Sequence, residues 1–439
     1  MWPARVLEPL AWVCLLVVAT GFGVGLSPAT AQQPDPTELL SDARREALRI
    51  PSLQSRAAAL AELALRLDDR DRPAADEAWQ RARECASAVE DVVSSLRSRR
   101  AVAERLAQSQ RRNMALTQAQ SVHRSVLALP VACHRAVLLC ELYPVLQILD
   151  PAAATQALAQ SAEAAAQIPE PLVRASALAQ VAKLQAETDP KAATSLAQSA
   201  DQAWYLAEKG LERELAATEL VRAWALLDWE HALIITQELE DVQAKAQALR
   251  AAAEGLAAAS LDRAIMAVRT ISSPELRALG LATVAAEAAA ERPELAALLA
   301  RDALRQAEQA PSAIKDPTVA YGAAALAASA PEEAAALLGQ IADEIARARA
   351  TADVALAMAP HQPDRAVALL RSSDHPEMIE RAWPEVIYWQ ARTDASGARA
   401  LVAQVLERYL KTKALLAVYD AVAGQASADT PAQPGGTEQ

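Results

Sequence analysis

The chain has 439 residues, a net charge of −12 and a pI near 5.1. Such an acidic chain repels phosphate backbones, which excludes broad nucleic-acid binding. Hydrophobic residues make up 52% but aromatics only 3%, with one Phe and 12 Gly, so the apolar content is mostly Ala and Leu, both strong helix formers, and the composition predicts an all-α protein.

The N-terminus carries an apolar stretch of 17 residues, Leu10 to Leu26, with Arg5 as the only basic residue ahead of it. Ser27-Pro28-Ala29-Thr30-Ala31 follows, an Ala-x-Ala exit before Gln32. This is the build of a secretory signal peptide. Residues 1–31 are therefore expected to be removed, leaving the mature chain outside the cytoplasm, in the periplasm, in the cell envelope or secreted. The stretch is slightly short for a span, so membrane attachment is expected only if it is kept as an anchor. Losing Arg5 and Glu8 leaves the net charge unchanged. Cys85, Cys133 and Cys140 remain, and an odd count argues against a disulfide framework.

From Pro36 onward the chain repeats. The skeleton Pro-x-x-Ala-x-x-Leu is complete at Pro190, Ala193 and Leu196, and it recurs with starts at 36, 73, 112, 151, 190, 229, 261, 293, 331, 363 and 395. After a first step of 37 the period is 39 from residue 73 to 229 and mostly 32 beyond it. Pro costs nothing at the first position of a helix, where its missing N–H would be unpaired anyway. Asp150 and Asp189 precede it as N-caps. Ala stands three residues on from Ala115 to Ala398 and marks the closest approach of a neighbouring helix. The shortening is seven residues, two helical turns, and falls in the helix that opens on this motif.

A second helix follows each motif helix, with expected starts near 51, 97, 131, 170, 211, 241, 274, 313, 343, 376 and 411. Sixteen residues before the next motif stand Arg135, Arg174, Arg213, Lys245, Arg277, Lys315 and Arg347. Carboxylates sit at i−4 from some of them, as Glu170 from Arg174 and Asp343 from Arg347. The basic residues are expected to form a structural ladder between stacked units. Pro144 and Pro384 are expected to kink their helices. The whole predicts an α-solenoid of about eleven stacked antiparallel helix pairs over 32–424, subdivided near 229. The last helix, Lys411 to Gly424, has no partner after it, and 425–439 is expected to be disordered.

The segment Val173-Arg174-x-x-Ala177-Leu178-x-x-Val181-Ala182, echoed from Leu276 to Ala285, resembles the second helix of a HEAT-like repeat. In that family a recurrent Arg contributes to a ladder between units. The small pairs Ala193 with Ala200 and Ala296 with Ala303 are similar to TPR-like repeats. The resemblance covers 36–424 and, for both families, implies an interaction scaffold without catalytic residues.

No Gly-x-Ser-x-Gly, His-Glu-x-x-His or Gly-rich phosphate loop occurs, and Cys133, His134 and Cys140 lack the spacing of a zinc site. No metal or cofactor is expected. Trp204, Tyr205, Trp224 and Trp229 cluster where the period changes and are the candidate binding site for a partner protein or extended peptide; if Trp204 and Trp224 are buried, the cluster is core instead. The expected function is a non-enzymatic scaffold that presents one long groove of the solenoid to a protein or extended peptide. The alternative is an envelope enzyme acting on polysaccharide through paired carboxylates in a concave all-α cleft.

Overall fold

The computed structural model describes residues 33–428, all of it helix, turn and coil. The expected signal segment and the residues after 428 lie outside the described residues. Eleven units follow one another, each a first helix and a second helix. The first five are Pro36–Leu48 with Leu53–Leu67, Arg72–Ser87 with Val92–Gln108, Arg112–Leu127 with Ala132–Leu149, Pro151–Ala166 with Pro171–Gln185, and Pro190–Leu206 with Leu211–Leu227. The next four are Trp229–Glu238 with Val242–Ala259, Leu261–Arg269 with Pro274–Ala288, Pro293–Gln306 with Ser312–Leu326, and Pro331–Leu338 with Glu344–Met358. In unit ten Pro363–Arg371 pairs with a broken helix, Pro376–Ile379, a 3-10 turn and Trp383–Ala391. Unit eleven is Ala395–Leu401 with Arg408–Ala428.

Each first helix begins where the motif places it, because the cap and the Ala contact set its start. Asp35, Asp71, Asp150, Asp189, Asp228, Ser260 and Asp394 each accept a backbone N–H of the first turn. The residue three positions in is sealed in every copy, Leu39 in the first unit and Ala in the other ten, from Ala75 and Ala115 to Ala366 and Ala398. Unit two starts at Arg72, one residue before Pro73, which brings Ala75 into the same buried position. Two second helices start earlier than expected, at Val92 and Arg408, and the last one runs through Ala428 into the stretch expected to be disordered. Pro144 is accommodated inside Ala132–Leu149, whereas Pro384 follows a true break at the 3-10 turn.

Second helices pack on one another from unit to unit, whereas first helices reach their neighbours through long side chains such as Arg44–Glu77 and Arg301–Glu333. The second helices therefore line the inside of the curve. Ala132–Leu149 is apolar and long enough to cross a membrane, but half of it is buried among its neighbours as an inner helix.

The ends of the array meet. The expectation of an unpartnered last helix is corrected: Arg408–Ala428 packs against Pro36–Leu48 and Leu53–Leu67. One continuous core runs from Leu39 and Leu60 across the junction to Leu416 and Val422. Arg66 bridges to Asp420 at 2.8 Å, Arg399 to Glu38 at 2.9 Å and Asp42 at 3.1 Å, and Arg408 to Glu46 at 2.8 Å. The solenoid is a closed ring, so neither end needs a polar capping repeat.

Ending the chain after Thr393 removes unit eleven and uncovers the first helix. The truncated protein is expected to lose on the order of 5 kcal/mol of apolar burial and to self-associate. Light scattering and urea unfolding check this; a monomer of unchanged stability contradicts closure.

Candidate partner-docking surface

The basic beat has a different geometry from the expected ladder. Arg56, Arg135, Arg174, Arg277 and Arg347 each reach back six residues and donate to the carbonyl of Ile50, Leu129, Ile168, Ile271 and Ile341, at 2.6–3.0 Å. These carbonyls lie just past the end of the first helix, where backbone acceptors have no helical partner. The contact is therefore mainly within a unit. Arg135 also donates to Gln167 and Arg277 to Gln306, both in the following unit. Lys245 and Lys315 show no such bond among the described residues. Arg213 instead lies over the ring of Trp204, 4.0 Å from its centroid. Arg277→Ala is expected to cost about 1–2 kcal/mol and Lys315→Ala less than about 0.5 kcal/mol, measured by urea unfolding; equal losses contradict the capping role.

The tryptophan expectation is corrected. Trp204 and Trp224 are 2% and 5% exposed and cannot meet a partner. Trp204 donates its indole N–H to the carbonyl of Arg213 at 2.8 Å, and Trp224 donates to Asp201 at 2.9 Å. The other Asp201 oxygen pairs with His231 at 2.8 Å, and the His231 ring lies 4.2 Å from Trp224. Burial raises the Asp201 pKa, while bonds from Trp224 and His231 pull it back. A hollow of about 380 Å³ opens beside them, lined also by Thr194, Gln198, Leu227 and Asp228. Its buried polar groups satisfy one another, so it reads as a knot tying three helices together. Trp229 is half-buried and donates to Thr270 at 3.1 Å.

Tyr205 is the member of the four that lies on the surface, 48% exposed. It does not stand alone. Leu206, at 72%, and Leu211, Leu215 and Val242 are exposed around it. Glu214 joins them by accepting the backbone N–H groups of Glu240 and Asp241, and the Tyr205 hydroxyl donates to Glu238 at 3.0 Å. Crowding by protein and then Glu238 push the Tyr205 pKa up to about 12.

This patch belongs to a larger pattern. Leu48, Val92, Leu127, Val131, Val173, Ile345 and Leu406 are also exposed. All lie where a first helix turns into its second, so they share one rim of the ring. Among the described residues Ile148 is the large exposed apolar side chain at the opposite rim.

The inner wall carries charge instead. Asp420, Arg66, Glu62 and Arg105 form one chain of pairs, and Arg97 bridges to Glu141. Lys183, Glu219, Arg222, Glu254 and Arg250 form another, at 2.8–3.8 Å. Burial alone would lower the Arg66 pKa, but Asp420 and Glu62 hold it above its ordinary value. Tyr321 donates to Glu254 at 2.9 Å from two units away, and burial followed by Glu254 pushes its hydroxyl up. Asp353 pairs with Arg381 at 2.9 Å and keeps about half its surface open. Its pKa is nonetheless raised, because protein crowds it on the concave side more than Arg381 compensates. Glu287 is raised by the same crowding and by Glu254. Sequence reasoning missed this belt. Its signal was the position six residues after the basic beat, occupied by Glu62, Glu141, Gln180, Glu219, Tyr321 and Asp353, though by buried Ala251 and Thr283 in units six and seven.

A carboxyl whose folded pKa lies above its unfolded value favours folding while protonated and loses that contribution as pH rises through the folded pKa. Glu287→Gln is therefore expected to raise the melting temperature at about pH 7 more than at about pH 4, read by thermal melts. An equal shift at both contradicts the raised Glu287 pKa, whose causes are burial and then Glu254.

No family model matches the chain, and no curated protein does. Among solved structures the chain is similar to the crystal structure of Ton1535 from Thermococcus onnurineus NA1, with 17% identity over 74% of this chain and 98% of that one. The TM-score is 0.35, too loose a superposition to carry an argument.

Proposed function

We propose that the protein is a non-enzymatic scaffold that docks another protein, or an extended segment of one, on the rim of its ring. The carrying observation is the concentration of exposed aliphatic side chains at one rim, densest at Tyr205, Leu206, Leu211 and Val242. Isolated exposed leucines are ordinary, but a contiguous patch marks an interaction site. The groove expected from an open solenoid gives way in this proposal to the rim of a closed one. The repeat is read as HEAT-like, because a basic residue recurs at a fixed place in the second helix and five of the arginines share one geometry. The N-terminal stretch 10–26 supports export to the periplasm or envelope, with residues 1–31 as the signal.

The polysaccharide-cleaving alternative needs a carboxyl free to give a proton and a second free to act opposite it. Glu287 has a raised pKa and no bond among the described residues, but Glu254 beside it is engaged by Arg222, Arg250 and Tyr321, and Asp353 by Arg381, which favours the scaffold.

A photo-crosslinker placed in the native cell at position 206 is expected to give one discrete protein adduct, and one at Leu298, exposed on a first helix eight residues short of its rim end at Gln306, none. The adduct is expected to vanish when Leu211 and Val242 are both changed to Ser. Identical adduct patterns from 206 and 298 overturn the rim as the docking surface.

A further inference from the structure

The rim patch around Leu206 has a cause in the helix lengths and a fringe of one charge. The first helix of unit five, Pro190–Leu206, has 17 residues, and the next, Trp229–Glu238, has 10. Both start at an Asp cap, with Ala193 and Ala232 buried in the same position, so they are aligned at their beginnings. The seven-residue excess therefore projects at the rim, a step of about 10 Å. Tyr205 and Leu206 stand on that step with no following first helix tall enough to cover them. A similar step follows Pro293–Gln306, of 14 residues, where Pro331–Leu338 has 8. That step ends in Arg305, Gln306 and Glu308, and among the described residues it carries no large exposed hydrophobic side chain. A step in height does not by itself make an apolar patch; the sequence has placed aliphatic residues on one step and polar residues on the other.

The fringe is acidic. Glu208, Glu212, Glu214, Glu238, Glu240 and Asp241 surround the patch. Lys209 and Lys245 are the opposing cations, since the guanidinium of Arg213 is buried over Trp204. Glu214 is turned to backbone N–H groups and Glu238 to Tyr205, while Glu208, Glu212 and Glu240 are exposed with side-chain carboxylates that no bond among the described residues engages. Such a fringe repels anionic lipid and nucleic acid and attracts cations at the edge of the apolar surface.

Resting on the rim-docking function above, we propose that this patch takes a basic amphipathic helix of the partner protein. Its apolar stripe seats on Tyr205, Leu206, Leu211, Leu215 and Val242, and its Lys or Arg residues meet Glu208, Glu212 and Glu240. The apolar contacts supply affinity; the carboxylates select the sign of the partner and fix its register.

The test uses the full chain and a labelled helical peptide of Leu and Lys about four turns long, with a Leu and Glu peptide of the same pattern as counterpart. Fluorescence anisotropy is expected to show binding of the Leu–Lys peptide that weakens about tenfold or more with Leu206→Ser/Leu211→Ser and, separately, with Glu208→Gln/Glu212→Gln/Glu240→Gln. The control Arg305→Gln/Glu308→Gln at the second step leaves it unchanged. All variants change exposed residues, and an unchanged melting curve certifies each. Equal binding of the two peptides, or equal binding to all variants, overturns the proposal. So does a dimer of the chain that Leu206→Ser/Leu211→Ser dissolves and the peptide does not displace, since a second copy is then the occupant. If position 206 crosslinks a discrete partner that the Leu–Lys peptide cannot displace, the docking function stands and only the basic helix is lost. If the rim yields no adduct, the docking function itself fails.

Discussion

The close approach of helices at one small residue per unit is the constraint on which the architecture rests. In every unit after the first, where Leu39 takes the place, an Ala three residues into the first helix is buried nearly completely, so adjacent axes come nearer than a larger side chain would permit. The Asp cap and the Pro at the helix start fix that Ala in height. Because the anchor is at the beginning, the end of the first helix is free to vary. Whole turns can be removed there without turning the buried stripe to solvent, and the helices shorten from 17 to 10 residues between units five and six on this principle.

Closure follows from accumulation. Each unit adds a small rotation to the last, and eleven of them bring Arg408–Ala428 back onto Pro36–Leu48. An open solenoid would leave the apolar side of its first and last units wet. Here each covers the other, and Arg399, Arg408 and Arg66 pin the seam with ion pairs that are only partly exposed. Such pairs are individually modest. Their value at the seam is register, because each cation is matched to acids on a chosen turn of the opposite end.

What was legible in the sequence is what one unit encodes alone. Helix starts, the buried Ala and the shortened first helix all follow from local chemistry, and Asp189-Pro190-Lys191-Ala192-Ala193 states the first two in five residues. Closure was not legible, because a rotation of a few degrees per unit decides between a spiral and a ring and no residue type reports it. The basic beat was legible as a pattern but not as a geometry. A recurrent Arg can reach the next unit or the end of its own first helix, and the Ile or Leu six residues earlier, as at Ile168 and Ile271, was the unread sign of the second. The tryptophans failed for a related reason. Trp serves equally as filler and as contact, and the indole bonds of Trp204 and Trp224 to Arg213 and Asp201 are what commit them to the interior.

The change of period does mark the sector where an apolar turn is left exposed above its neighbour, and the physics shows why. A taller helix beside a shorter one needs a firm base, since its last turns lose lateral support. The buried indoles of Trp204 and Trp224, the guanidinium of Arg213 laid on Trp204 and the Asp201–His231 pair supply that base. Rigid support beneath an exposed apolar turn is also what a docking surface requires, because ordering the surface on binding then costs little entropy. The aromatic cluster and the aliphatic rim are thus two levels of one structure, the lower holding the upper in place. Tyr205 belongs to both, with its ring against Trp204 and its hydroxyl on Glu238 of the next unit.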